Sequence, residues 1–251
     1  MSWRNRRRVA IVLTVLLVFA VVAGFYFYFT KPLPSCLDGK QNQGEWGVDC
    51  GGPCARVCRS ETQPLVTLWT RVFEITPGNY TAVAYVENPN RLLGLPTFNY
   101  EFVLTDFKGT EIARASGESF ANPKERFIVF SSNIMAPAGT ANRSFLGFPD
   151  NFVWQRLDKD PLKIQMKRKN FSLEPSPNLS AEVLSEEIKT INRFPVYVVL
   201  SDKNGNAISA SATFVDSLGA QSATDVYFTW PTPFADTPVF FDFYPHASLF
   251  D

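Results

Sequence analysis

Four cysteines, one histidine and a short run of acidic and amide side chains are the residues of this 251-residue chain with chemistry beyond packing. Cys36, Cys50, Cys54 and Cys58 are separated by 13, 3 and 3 intervening residues, and no other cysteine exists. An even, clustered set reads as two disulfides rather than a zinc site, which needs close pairs held reduced. Three pairings satisfy four cysteines, and loop entropy does not choose among them. Within the same stretch Asp38, Asn42, Glu45 and Asp49 place oxygen ligands at intervals of four, three and four, a set that calcium accepts from a glycine-bearing loop. The spacing is not that of an EF-hand, and Asp-Gly and Gly-Glu steps are ordinary turn formers, so turn chemistry explains the same residues.

His246 follows Phe241-Asp-Phe-Tyr-Pro245 near the C-terminus, with no nucleophile or carboxylate identifiable as its partner, and reads as an exposed tail histidine. The chain has no Gly-x-Ser-x-Gly, no His-Glu-x-x-His and no phosphate-cradling glycine loop. Glycosidase chemistry needs only two carboxylates, but Asp106, Asp202 and Asp216 stand in turn or strand-edge contexts. The chain is therefore read as a non-enzyme without a cofactor, calcium excepted. Trp230-Pro-Thr-Pro-Phe234 offers an exposed aromatic patch or, more simply, a strand end closed by Trp230 with prolines blocking edge pairing.

The elements that position these residues differ sharply along the chain. Arg4, Arg6, Arg7 and Arg8 precede an uncharged run from Val9 to Phe29. As a helix that run would rise about 31 Å, matching a hydrocarbon core. The aromatic run Phe25-Tyr-Phe-Tyr-Phe29 resembles an interfacial belt more than a cleavage site, and the arginines set a cytoplasmic N-terminus. The expectation is a single-pass signal anchor in the cell membrane, with the lipid bilayer as partner. Its parts are a cytoplasmic tail at 1–8, a transmembrane helix at 9–29 and an extracytoplasmic remainder. Without the four arginines, 20 basic residues face 24 acidic ones, so no basic stripe points to nucleic acid.

Beyond a Gly- and Pro-rich disulfide stalk at 30–62, the chain reads as strands. Leu162, Ile164 and Met166 alternate with Lys163, Gln165 and Lys167, the period of a half-buried strand. The pattern also repeats. Leu104, Asp106, Gly109 and Ile112 recur 96 residues later as Leu200, Asp202, Gly205 and Ile208. Ile75-Thr-Pro-Gly-Asn79 parallels Leu173-Glu-Pro-Ser-Pro-Asn178, and Phe127–Phe130 parallels Val226–Trp230. A hairpin turning at Asp-x-x-Gly is thus used twice. Two domains follow, 63–160 and 161–251, which a cut near Asp160 should separate unless a large apolar interface joins them.

Two resemblances rest on quoted residues. Cys36-Leu-Asp-Gly-Lys-Gln-Asn-Gln-Gly-Glu-Trp-Gly-Val-Asp-Cys50-Gly-Gly-Pro-Cys54 is similar to a short cysteine module of bacterial surface proteins, which implies an exported protein. Val86-Glu-Asn-Pro-Asn90, Gly109-Thr-Glu-Ile-Ala and Gly117-x-x-Phe120 resemble the late-embryogenesis-abundant type 2 family, the water-stress and hypersensitive-response domain. That likeness implies a non-catalytic seven-stranded sandwich similar to fibronectin type III. The second copy has Leu184-Ser-Glu-Glu187 in place of Asn-Pro-Asn, so there only the hairpin carries it.

The fold expected is all-β: tandem immunoglobulin- or fibronectin type III-like sandwiches after one transmembrane helix and a small disulfide-rich segment. The function expected is a structural or binding protein that presents these modules to an envelope protein or glycan, with loop 91–95 as a candidate contact. The alternative is an extracytoplasmic hydrolase or ligand-delivery protein with its site between the sandwiches.

Overall fold

The computed structural model of the chain describes residues 3–29, 35–148 and 152–250. It divides into two compact units, residues 1–54 and 55–251.

The first unit opens with helix α1, Trp3–Phe29, which begins inside the expected tail at 1–8. The transmembrane expectation is corrected here. Among the described residues no helix is long and apolar enough to cross a membrane. The fold class is therefore a strand-rich one, without a membrane-spanning helix among the described residues. The signal anchor and the single-pass cell-membrane location with an extracytoplasmic C-terminal region go with it. Of the expected stalk, residues 30–34 lie outside the described residues.

Among the described residues the second unit contains thirteen strands in four sheets. The first seven are β1 (Val66–Thr76), β2 (Asn79–Glu87), β3 (Leu93–Thr105), β4 (Glu111–Ala121), β5 (Arg126–Met135), β6 (Arg143–Gly147) and the two-residue β7 (Gln155–Arg156). They form a β1-β2-β5 sheet facing a β4-β3-β6 sheet, with β7 paired to the start of β3. Then come β8 (Ile164–Ser172), β9 (Asn178–Ser185), β10 (Ile191–Ser201), β11 (Ala207–Leu218), β12 (Ala223–Thr229) and β13 (Phe240–Pro245). These repeat the pattern as β8-β9-β12 and β11-β10-β13.

The sequence repeat and the topology coincide strand by strand. In the β3–β4 turn, Asp106 Oδ1 accepts from the main-chain N–H groups of Lys108 and Thr110, both at 2.8 Å. In the β10–β11 turn, Asp202 Oδ1 accepts from Asn204 and Asn206 at 2.8 and 2.9 Å. Gly109 and Gly205 close the two turns at φ of +82° and +80°, a conformation costly for any residue with a Cβ. The Asp-x-x-Gly signature is thus a local device, written twice because the same turn is made twice.

Alternation along the strands decides what each sheet packs against. On β2, Tyr80, Ala82, Ala84 and Val86 meet Phe98, Phe102 and Leu104 of β3 in the first core. On β10, Val196, Val198 and Leu200 meet Leu179, Val183 and Phe228 in the second. The opposite faces of these strands do not meet solvent. Val83 and Ile128 of the first sandwich pack with Val199 and Ala210 of the second, and Trp69, Phe73, Tyr85, Phe130, Tyr197 and Tyr244 close around them. The rings of Tyr85 and Tyr244 lie 5.2 Å apart, and those of Phe130 and Tyr197 5.6 Å. The sheets accordingly stack as four layers with three apolar interfaces. The expected pair of independent domains thus shares a third core, which the linear pattern does not reveal.

Candidate functional site

The cysteine loop lies in the first unit apart from Cys58, which caps a short 3-10 turn at Arg59–Glu61 in the second. Cys36 pairs with Cys54, closing a loop with a sequence separation of 18. Cys50 and Cys58 are disulfide-bonded as well, and no cysteine is free.

Of the four proposed calcium ligands, Asp38, Glu45 and Asp49 have their carboxylates engaged inside this loop, while Asn42 Oδ1 is buried without a hydrogen-bond partner among the described residues. Asp38 accepts from the Lys40 main chain at 2.9 Å and from Asn42 Nδ2 at 2.7 Å. The Asn42 amide holds the Asp38 carboxyl below its ordinary value of 3.8. Asp49 takes the Gly39 N–H between its two oxygens, at 3.1 and 2.9 Å. Glu45, buried in the loop, receives the N–H groups of Asn42 and Asp49 on Oε2 at 3.3 and 3.2 Å. Its Oε1 lies 3.1 Å from Cys54 Sγ, which has no proton to donate because it is in the disulfide.

Among the described residues the one group of three or more closely spaced His, Cys, Asp or Glu ligands is Cys36, Glu45 and Cys54, and both sulfurs are already spent. The acidic side chains of the loop therefore act as acceptors for the N–H groups of its turns. They hold a segment that has almost no apolar core.

A second polar cluster binds the two sandwiches together. Asn88 is fully buried, its Nδ2 donating to the carbonyls of Leu93 and Asn122, both at 2.8 Å. Its Oδ1 accepts from the main chain and side chain of Asn90, while Asn90 exchanges hydrogen bonds with the main chain of Gln63 at 2.7 and 2.8 Å. The Asn-Pro-Asn motif is therefore a clamp between the strand entry at 63 and the β2–β3 turn.

Asn122 carries the network onward. Its Nδ2 donates to the Ala247 carbonyl at 2.9 Å, and its Oδ1 accepts from the Leu249 N–H at 3.0 Å. The C-terminal segment after β13 is thus sewn onto the first sandwich. His246, expected at the surface, is 1% exposed. Its ring stacks 3.9 Å from Phe120 and 5.0 Å from Phe127, and Nδ1 faces Glu125 Oε1 at 3.2 Å. Nε2 is buried with no partner among the described residues, which favours placing the proton on Nδ1, donating to Glu125. A tail position misled the sequence reading because five residues suffice to turn back across a neighbouring sheet. The one available signal was the unusual apolar content of Ala247, Leu249 and Phe250.

Other expected surface features divide. Trp230 is buried, edge-on to Phe234 at 5.3 Å, and closes the second core. In the candidate contact loop only Arg91 and Leu92 are exposed, while Leu93, Gly94 and Leu95 are buried as the start of β3. One concavity went unforeseen. A groove of about 990 Å³ has Arg56 and Arg59 on one side and the segment Phe152–Arg156 on the other.

No protein-family profile matches the chain, and no curated protein matches it. Among solved structures, a red sea bream transglutaminase aligns over 72% of this chain and 29% of its own, at 10% identity and a TM-score of 0.21. The chain spans less than a third of that protein's length, and so slight a likeness carries no argument. What the fold defines is a class of architecture: two topologically equivalent β-sandwich modules stacked face to face.

Proposed function

We propose that the chain is a non-catalytic binding or structural protein whose stacked sandwiches present a rigid surface to a protein or glycan partner. One observation carries this reading. The residues that could have done chemistry are consumed by architecture: His246 in an aromatic stack, Asn88 in the clamp within the first sandwich, Asn122 in the tie between the sandwiches, Glu45 and the cysteines in the disulfide loop. Shifted protonation follows packing in the same way, since burial raises the phenols of Tyr85, Tyr100, Tyr197 and Tyr244.

The likeness of residues 83–130 to water-stress domains supports the same reading from the motif side. The alternative, a hydrolase or ligand-delivery site between the sandwiches, finds one part of that interface filled by Val83, Ile128, Val199 and the surrounding aromatics, and another holding a cavity of about 120 Å³ lined by Asn122, Glu125, Leu162 and Leu249. Function on this reading lies in exposed faces, because loops and edges on a rigid scaffold commonly carry contacts. The test combines crosslinking of the full chain to its partner with an alanine scan of the acidic residues. No single Asp or Glu substitution should abolish function. Loss of function from one carboxylate, with fold and crosslinking intact, would establish an enzyme instead.

A further inference from the structure

We infer that the groove between Arg56, Arg59 and strand β7 takes an acidic peptide in extended conformation, which adds a strand to the free edge of β7. This rests on the binding reading above and gives it a partner class. Three features of the groove point the same way.

The first is charge. Among the described residues Arg56, Arg59 and Arg156 line the groove and no acidic residue does. Arg156 is paired with Glu61, whereas Arg56 and Arg59 have no ion pair among the described residues. Two uncompensated guanidinium groups beside a concave wall favour carboxylates, which they hold by two parallel hydrogen bonds each.

The second is the main chain. Among the described residues β7 pairs only with β3, through Leu93↔Arg156 and Gly94↔Gln155, and no described strand covers its outer edge. Among the described residues, Val153 and Trp154 just before it make no main-chain hydrogen bond at all. Edges of this kind accept an added strand, and the added strand obtains its affinity from main-chain pairing. A polysaccharide has carboxylates but no peptide N–H and C=O at strand spacing, so the open edge selects a peptide.

The third is shape and surface. Val153 is 71% exposed at the groove, and Trp154 offers a partly buried face braced by Phe152 with ring centroids 5.8 Å apart. Side chains on an added strand alternate, so acidic residues would point toward Arg56 and Arg59 while the intervening apolar ones cover Val153 and Trp154.

The experiment uses the full oxidised chain and a fluorescein-labelled peptide of alternating Glu and Val, about eight residues or roughly 27 Å long when extended. Fluorescence anisotropy should show saturable binding that added salt weakens. Arg56→Glu together with Arg59→Glu should reduce affinity at least about tenfold. These positions are exposed, and an unchanged circular-dichroism spectrum checks that folding is retained. N-methylation of alternate peptide nitrogens should abolish binding, and the Lys–Val counterpart should not bind.

Equal binding of the Glu–Val and Lys–Val peptides would overturn the proposal. So would polygalacturonate competing as well as the peptide while N-methylation has no effect, since the ligand would then be an acidic glycan. If no probe binds but the full chain still crosslinks to a partner through another face, the groove assignment fails and the broader binding reading stands.

Discussion

Phe120 on β4 and His246 after β13 stack with ring planes 8° apart and centroids 3.9 Å apart, joining the first sandwich to the tail of the second. The contact shows that residues 55–251 cannot be read as beads on a string.

Cutting the chain near residue 160 should not release independent domains. Separation would expose Tyr197, Val199, Ala210 and Tyr244 on one half and Val83, Tyr85 and Ile128 on the other. Limited proteolysis between 157 and 161 should leave both halves co-eluting in size-exclusion chromatography. Val199→Asp, which buries an unpaired charge in that interface, should destabilise the protein by about 3–5 kcal/mol. Separate elution of two well-folded halves would refute the shared core.

Replacing His246 by Ala should cost about 2–4 kcal/mol, because it removes a buried aromatic stack and leaves Glu125 without this partner. His246→Phe should recover part of the loss, since the ring can still stack although the hydrogen bond is gone. Chemical denaturation of the three proteins measures the ranking. An unchanged midpoint for His246→Ala would mean the tail is not bound as described.

The interface should also loosen at alkaline pH. Burial raises the phenol of Tyr244 to about 12 and that of Tyr197 still further, against an ordinary value of 10.0. A raised pKa in the folded state contributes stability that is complete below pH 10.0 and is lost as pH climbs through the folded value. Phenolate absorbance should therefore show a late phase that coincides with loss of near-ultraviolet dichroism. Titration of all tyrosines near their ordinary value, with the fold intact, would contradict this burial.

In the cysteine loop, calcium should leave the thermal midpoint unchanged, because Asp38, Glu45 and Asp49 already accept main-chain N–H groups. Calorimetry with and without calcium decides the matter, and a saturable upward shift would restore the ligand reading. Cys54→Ser should disorder the loop, removing a closure worth about 3 kcal/mol for a separation of this length. Peptide mapping of the unreduced protein should recover Cys36 linked to Cys54.

The sequence by itself determined what local chemistry determines. Strand alternation, the twice-used Asp-x-x-Gly turn and the clustered cysteines were all legible, because each depends on residues within a few positions of one another. The tertiary structure decided everything that depends on which face meets which neighbour. Tyr85 and Tyr197 alternate as outward residues do, and only the stacking of one sandwich on the other makes them core. His246 and Asn122 carry no signal of their meeting, since the chain must first fold both modules before the tail can cross between them. The groove at Arg56 and Trp154 was hidden for the same reason. Its two walls are about a hundred residues apart, and pairing across that distance leaves no periodic trace in the sequence.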